Sequence, residues 1–197
     1  MNQRKGKADM PVDFGSFEFA CPPEMGEAWI VKACKLAGLG GEIGKQDVHQ
    51  PFDKGQGKTL RVSMVRHPCD WLSDVYASFR RGNCSGNGQL DRLWKLFLGM
   101  ENEMFDCFVE DYLNLMPGEV NDVFGRYKCD TRMKSEDMPW ALVELLDSCG
   151  VSEEECNKIK TLWPTIEQMN VERKWQPDVF QAVLGAEDEL CLDFDYY

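Results

Sequence analysis

The spacing of apolar residues changes period in the middle of the first half of the chain. Leu60, Val62, Met64 and Val65 form a short apolar run with polar residues on either side, the pattern of a strand buried in a parallel sheet. Arg66-His67-Pro68 interrupts it, and Pro68 has no N–H for a ladder but suits the first turn of a helix. Trp71, Leu72, Val75 and Phe79 then fall on one helical face. The stretch therefore predicts a strand, an Arg at its carboxyl end, and a helix. A second unit of this kind lies upstream. Phe14, Phe17 and Phe19 alternate around Gly15-Ser16 and predict a strand over Ser16–Ala20. Pro22 and Pro23 force a loop, and Trp29, Ile30, Ala33, Cys34 and Ala37 predict a helix that ends at the glycines after residue 37.

Residues 1–12 read as a mobile arm, and residues 13–197 as a single domain. Residues 40–59 form a polar, glycine-rich connection whose Gly-Lys-Thr lacks the upstream glycine of a Walker loop and leads into a strand. Helices are expected over Leu90–Leu98, Met104–Leu115, Asp137–Cys149 and Val151–Trp163, and over a last segment from Gln176 towards Leu190. Strands alternating with helices make the chain α/β.

Composition narrows the function. The chain has 197 residues, 43% of them hydrophobic and 28% charged, within the globular range. No apolar run is long enough to cross a bilayer, and MNQRKGKADM lacks the apolar core of a signal peptide. A cytoplasmic protein with no membrane partner is the expectation. The nine cysteines include no CxxC pair and no zinc-type spacing, so reduced thiols and no bound metal are expected. Net charge is −12: residues 1–100 hold 14 basic and 11 acidic side chains, residues 101–197 hold 8 and 23. An acidic second half argues against nucleic acid as a partner.

The two strand–loop–helix units resemble the nucleotide-binding elements of sulfotransferases that use 3′-phosphoadenosine 5′-phosphosulfate. Pro23, Gly26 and Trp29 match the family's phosphosulfate loop, and Arg66, His67, Pro68, Trp71 and Tyr76 match its 3′-phosphate element. Phe105 to Val109, followed by Pro117-Gly118, resembles the family's aromatic helix and turn, and the resemblance implies a short strand within Val120–Glu136, ended by Arg132, Lys134 and Glu136. The resemblance implies a three-layer α/β/α fold with a mainly parallel sheet, a compact version of the P-loop-NTPase-like sulfotransferase fold. It also implies sulfuryl transfer to a hydroxyl or amine of a small-molecule or glycan acceptor. In that reading Pro23, Met25, Gly26, Glu27, Ala28 and Trp29 bind the 5′-phosphosulfate and adenine, Arg66 and Ser73 the 3′-phosphate, and His49 is the base. The chain departs from the family at three places. Glu24 stands where the loop has Lys, Glu27 and Ala28 replace two hydroxyl residues, and Asp74 replaces the usual Ser, which here is one place early at Ser73. A catalytically inactive binding or interaction protein on the same fold is therefore the other reading.

Overall fold

The computed structural model describes residues 11–40, 49, 51–52, 59–82, 90–99, 104–162 and 175–197. Its described strands are β1 (Val12–Asp13), β2 (Phe17–Phe19), β3 (Leu60–Val65) and β4 (Thr131–Lys134), in that order across one sheet. β1 is a short antiparallel hairpin partner of β2, while β2, β3 and β4 run parallel. The fold is α/β with a mostly parallel sheet. Residues 1–10 of the expected arm lie outside the described residues. Val12, read from the sequence as the end of that arm, is instead a strand residue paired with Phe19 and 1% exposed. Gly15, at φ 82°, makes the turn between the two strands, closed by Phe14 N–H donating to the Phe17 carbonyl.

Helices α1 (Glu27–Leu36), α2 (Pro68–Arg80), α3 (Asp91–Leu98), α4 (Phe105–Leu115) and α6 (Trp140–Ser148) form where the sequence spacing predicts helix, as does α7 (Glu153–Leu162). Their apolar residues face the sheet and one another. Val62 to Val65 of β3 are all buried, and successive strand residues point to opposite faces, so both faces of the sheet are covered. The helices pack in two groups, α1, α6 and α7 in one and α2, α3, α4 and α8 (Pro177–Ala186) in the other. Tyr76 and Phe79 of α2 anchor the second group, with rings of Phe97, Phe105 and Phe108 against them at centroid distances of 5.2 to 6.3 Å.

Two elements differ from the sequence expectation. Val120, Val123 and Phe124 form a helix, α5 (Glu119–Gly125), before β4, the strand that the resemblance implies in this stretch. The last helix is broken in two, α8 and α9 (Asp188–Phe194), at Glu187. The break has a physical cause. The Glu187 carboxylate turns inward, where it accepts hydrogen bonds from the N–H groups of Gly118 at 2.9 Å and Asn121 at 2.7 Å, and from the Tyr112 hydroxyl. It thereby satisfies N–H groups that the start of α5 would leave without partners. In return, the Asn121 side chain accepts the N–H of Leu190 at 3.0 Å, near the start of α9.

Candidate functional site

The carboxyl ends of β2 and β3 lie side by side. Phe19 pairs with Val62, and the Ala20 N–H donates to the Val62 carbonyl at 3.2 Å. The loop that leaves β2 and the turn that leaves β3 therefore share one rim, the edge at which parallel α/β sheets bind ligands. Trp71 of α2 ties them together. Its Nε1–H donates to the carbonyl of Pro23 at 2.8 Å, in full burial. Successive residues in a helix are rotated by about 100°. Trp71, Asp74 and Ser78, spaced three and four apart, therefore face the loop together, while Ser73 is turned away from that face.

The loop needs two left-handed residues. Gly26, at φ 76°, precedes α1 and adopts this conformation freely. Glu24, at φ 63°, does so against its own Cβ. Glu27 opens α1, and its carboxylate bends back to accept the Met25 N–H at 3.2 Å. The other Glu27 oxygen lies 3.4 Å from Nε2 of His49. The His49 Nδ1 contacts the Cys21 carbonyl at 3.1 Å, and the Tyr127 hydroxyl donates to the His49 carbonyl at 2.7 Å. A carbonyl only accepts, so Nδ1 is the donor there, and Nε2 bonds Glu27 only as a second donor. His49 thus sits at the loop between β2 and α1, engaged on both ring nitrogens. Met25 is buried, Ala28 is exposed, and Trp29 is half-buried against the core.

On the β3 side, Arg66 meets Asp74: Nη1 lies 2.5 Å from the Asp74 carboxylate. The Ser73 hydroxyl is buried without a hydrogen-bond partner among the described residues. The structure thus brings Pro23, Met25, Gly26, Glu27 and His49 to one loop and Arg66 beside it, and leaves Ser73 off the shared face. The spacing of Ser73 and Asp74 along α2 carried that information.

The electrostatics follow from three carboxylates on one rim. Burial pushes the Glu24 carboxyl up; a hydrogen bond from Ser78 and the charge of Arg81 pull against it, while Glu27 and Asp74 reinforce the rise. Burial also pushes Glu27 up, but hydrogen bonds from His49 and from the N–H groups of Glu27 and Met25 outweigh it and hold the carboxyl below its ordinary range. A donor with a 3′-phosphate and a 5′-phosphosulfate needs cations and free N–H groups at these points. Here Met25 N–H and the Arg66 guanidinium face carboxylates of the chain itself, and Glu24 adds a third. The residues present do not fit that donor. No group of three or more His, Cys, Asp or Glu among the described residues is placed to hold a metal ion.

A mixed-charge cleft of about 480 Å³ opens between α5 and α9, lined in part by Asp122, Arg126, Arg132, Glu189 and Asp193. None of its lining residues belongs to the rim, and the sequence reading did not single it out. No periodic signal marks it, because its walls come from three separate elements. No family model matches the chain, and neither a curated protein nor a solved structure matches it.

Proposed function

We propose that the chain has the three-layer sulfotransferase-type fold and works as a binding or interaction protein, with its donor site closed by its own carboxylates. One observation carries this reading: Asp74 pairs with the Arg66 guanidinium, its carboxylate 2.5 Å from Nη1. The Met25 N–H given to Glu27 supports it from the opposite side of the rim. The order of the elements supports the fold. Two parallel strands, each followed by a loop and a helix, set their loops on one edge. The position of His49, hydrogen-bonded to that loop, is what favours the second reading, an active sulfuryl transferase acting on a hydroxyl or amine acceptor.

Titration with 3′-phosphoadenosine 5′-phosphate separates the two. A ligand that binds only the folded state at a hundred times its dissociation constant stabilises by about 2.7 kcal/mol. For a chain of this size that raises the melting temperature by roughly 5–10 °C. The expected result is no shift in the wild-type protein at millimolar ligand. A shift should appear when Asp74→Ser is combined with Glu24→Lys and Glu27→Thr. A wild-type shift that disappears in Arg66→Ala would establish the transferase reading instead.

A further inference from the structure

We propose that residues 194–197 form a strap that the neutral ring of His67 holds closed over the start of α2 and that acid releases. The inference stands apart from the question of donor binding.

The strap is held by side chains of β4, by Glu136 and by His67. α9 ends at Phe194, Asp195 takes a left-handed conformation at φ 53°, and the Tyr196 N–H returns to the Cys191 carbonyl at 3.0 Å. This turn lays Tyr196 against His67, with ring centroids 5.2 Å apart and planes at 62°. Phe180 of α8 stacks on the same imidazole, at 5.4 Å and 20°. Glu136 joins the pieces, one carboxylate oxygen accepting the His67 peptide N–H at 2.7 Å and the other the Tyr196 hydroxyl at 3.2 Å. Lys134 lies 4.9 Å from the Tyr196 ring centroid, and Arg132 lies 5.5 Å from that of Phe194. Cation–π contacts at partly exposed sites are weak, so the strap is held closed without being locked.

His67 also caps α2. Its Nδ1 accepts the Cys69 N–H at 3.2 Å, which requires that nitrogen to be bare. A proton on Nδ1 would turn the acceptor into a donor facing a donor, at the positive end of the helix. The groups around the ring set the balance. Burial between the aromatic rings lowers the His67 pKa, Asp70 and Glu136 raise it, Arg66 lowers it, and the outcome is below the ordinary value. Burial holds the Cys69 and Cys191 thiols and the Tyr196 phenol well above their usual values, so none of the three titrates in the same range.

The sign is then determined. A histidine whose pKa is depressed in the closed state binds its proton more readily once the strap opens and water reaches the ring. Closure is favoured above the ordinary value of about 6.5 and weakens as pH falls from there through the depressed one. Release frees the Glu136 carboxylate and the Lys134 ammonium from Tyr196, with Lys134 paired to Val65 beside the Arg66 end of the rim.

With two histidines in the chain, the His67 imidazole signal is identified in proton NMR by its loss in His67→Asn. Asn keeps an acceptor at the helix cap and does not titrate. In the wild-type protein the His67 signal should titrate below about 6.5, and Tyr196→Ala should move it up towards that value. Between pH 7.5 and 5, hydrogen-exchange protection of residues 194–197 should fall in the wild type relative to His67→Asn, by about tenfold per unit of pKa difference. The proposal is overturned if the protection ratio stays flat with pH, or if Tyr196→Ala leaves the His67 titration where it was. The second comparison needs the His67 variant only to identify the signal, and where that variant fails to fold, His49→Asn identifies the same signal by elimination.

Discussion

Glu187→Gln should flatten the loss of stability expected of the wild-type protein between about pH 4.5 and pH 7. Glu187 is fully buried at the break between α8 and α9. Burial raises its carboxyl to about 7, with the N–H groups of Asn121, Gly118 and Val120 offsetting part of the rise. In the unfolded chain the same group ionises near 4.5. Between those values the folded protein holds a proton that the unfolded chain has released, so stability falls as pH rises. The full effect, about two and a half pKa units, is on the order of 3 kcal/mol at pH 8. Gln carries no charge, and its side-chain oxygen can still accept an N–H. It should therefore hold its stability across the window and exceed the wild type above pH 7, by about 1–3 kcal/mol. Glu187→Ala should be less stable at every pH. It leaves the N–H groups of Gly118 and Asn121 and the Tyr112 hydroxyl without their buried acceptor, at about 1–3 kcal/mol for each unsatisfied group. Urea unfolding at pH 4.5, 6 and 8 measures all three proteins. Equal pH slopes for the wild type and the Gln variant would show that Glu187 is ionised throughout and that its hydrogen bonds outweigh its burial.

The same carboxylate shows where sequence reading runs out. From Gln176 the apolar spacing continues at helical period across Glu187, and a Glu at one more position looks like part of a solvated face. Its inward turn is dictated by the start of α5, nearly seventy residues earlier, which no local pattern carries. α5 itself was legible: Val120, Val123 and Phe124 have helical spacing, but the strand that follows drew the whole stretch towards an extended reading. β1 has two residues, too few to show a period. By contrast, β3, α2 and the loop between them could be read because an abrupt change of period and a proline mark the junction. The rim was half legible. The sequence placed Asp74 where a hydroxyl is expected and Glu24 and Glu27 in the loop, so a clash of charge with an anionic ligand was evident. That these acids would engage Arg66, the Met25 N–H and His49 required the pairing of β2 with β3.

Trp71→Ala should be the most damaging single change at the rim. The Trp71 side chain is fully buried, edge-on to Phe124 at a centroid distance of 5.5 Å, and its N–H holds the Pro23 carbonyl. Truncation removes a large apolar group and leaves a cavity that the two-sided packing of the sheet cannot collapse, a loss of about 3–5 kcal/mol. Trp71→Phe divides this cost. It keeps an aromatic ring in the space but offers nothing to Pro23, whose carbonyl then lies buried without its donor, at about 1–3 kcal/mol. The functional consequence depends on that smaller term. Pro23 precedes Glu24, and Glu24 is held in an unfavourable left-handed conformation. Strain of that kind, of order 1–3 kcal/mol, persists only while the surroundings impose it. Once the Trp71 bond is gone, Glu24 should relax and the loop should open, carrying Met25 away from the Glu27 carboxylate. Hydrogen exchange at Met25 should then accelerate in Trp71→Phe far more than exchange in the β3 strand. If the Phe variant unfolds at the same urea concentration as the wild type and protects Met25 equally, the loop is held by its own prolines. The link between the two strand–loop–helix units would then have to come from the Arg66–Asp74 side alone.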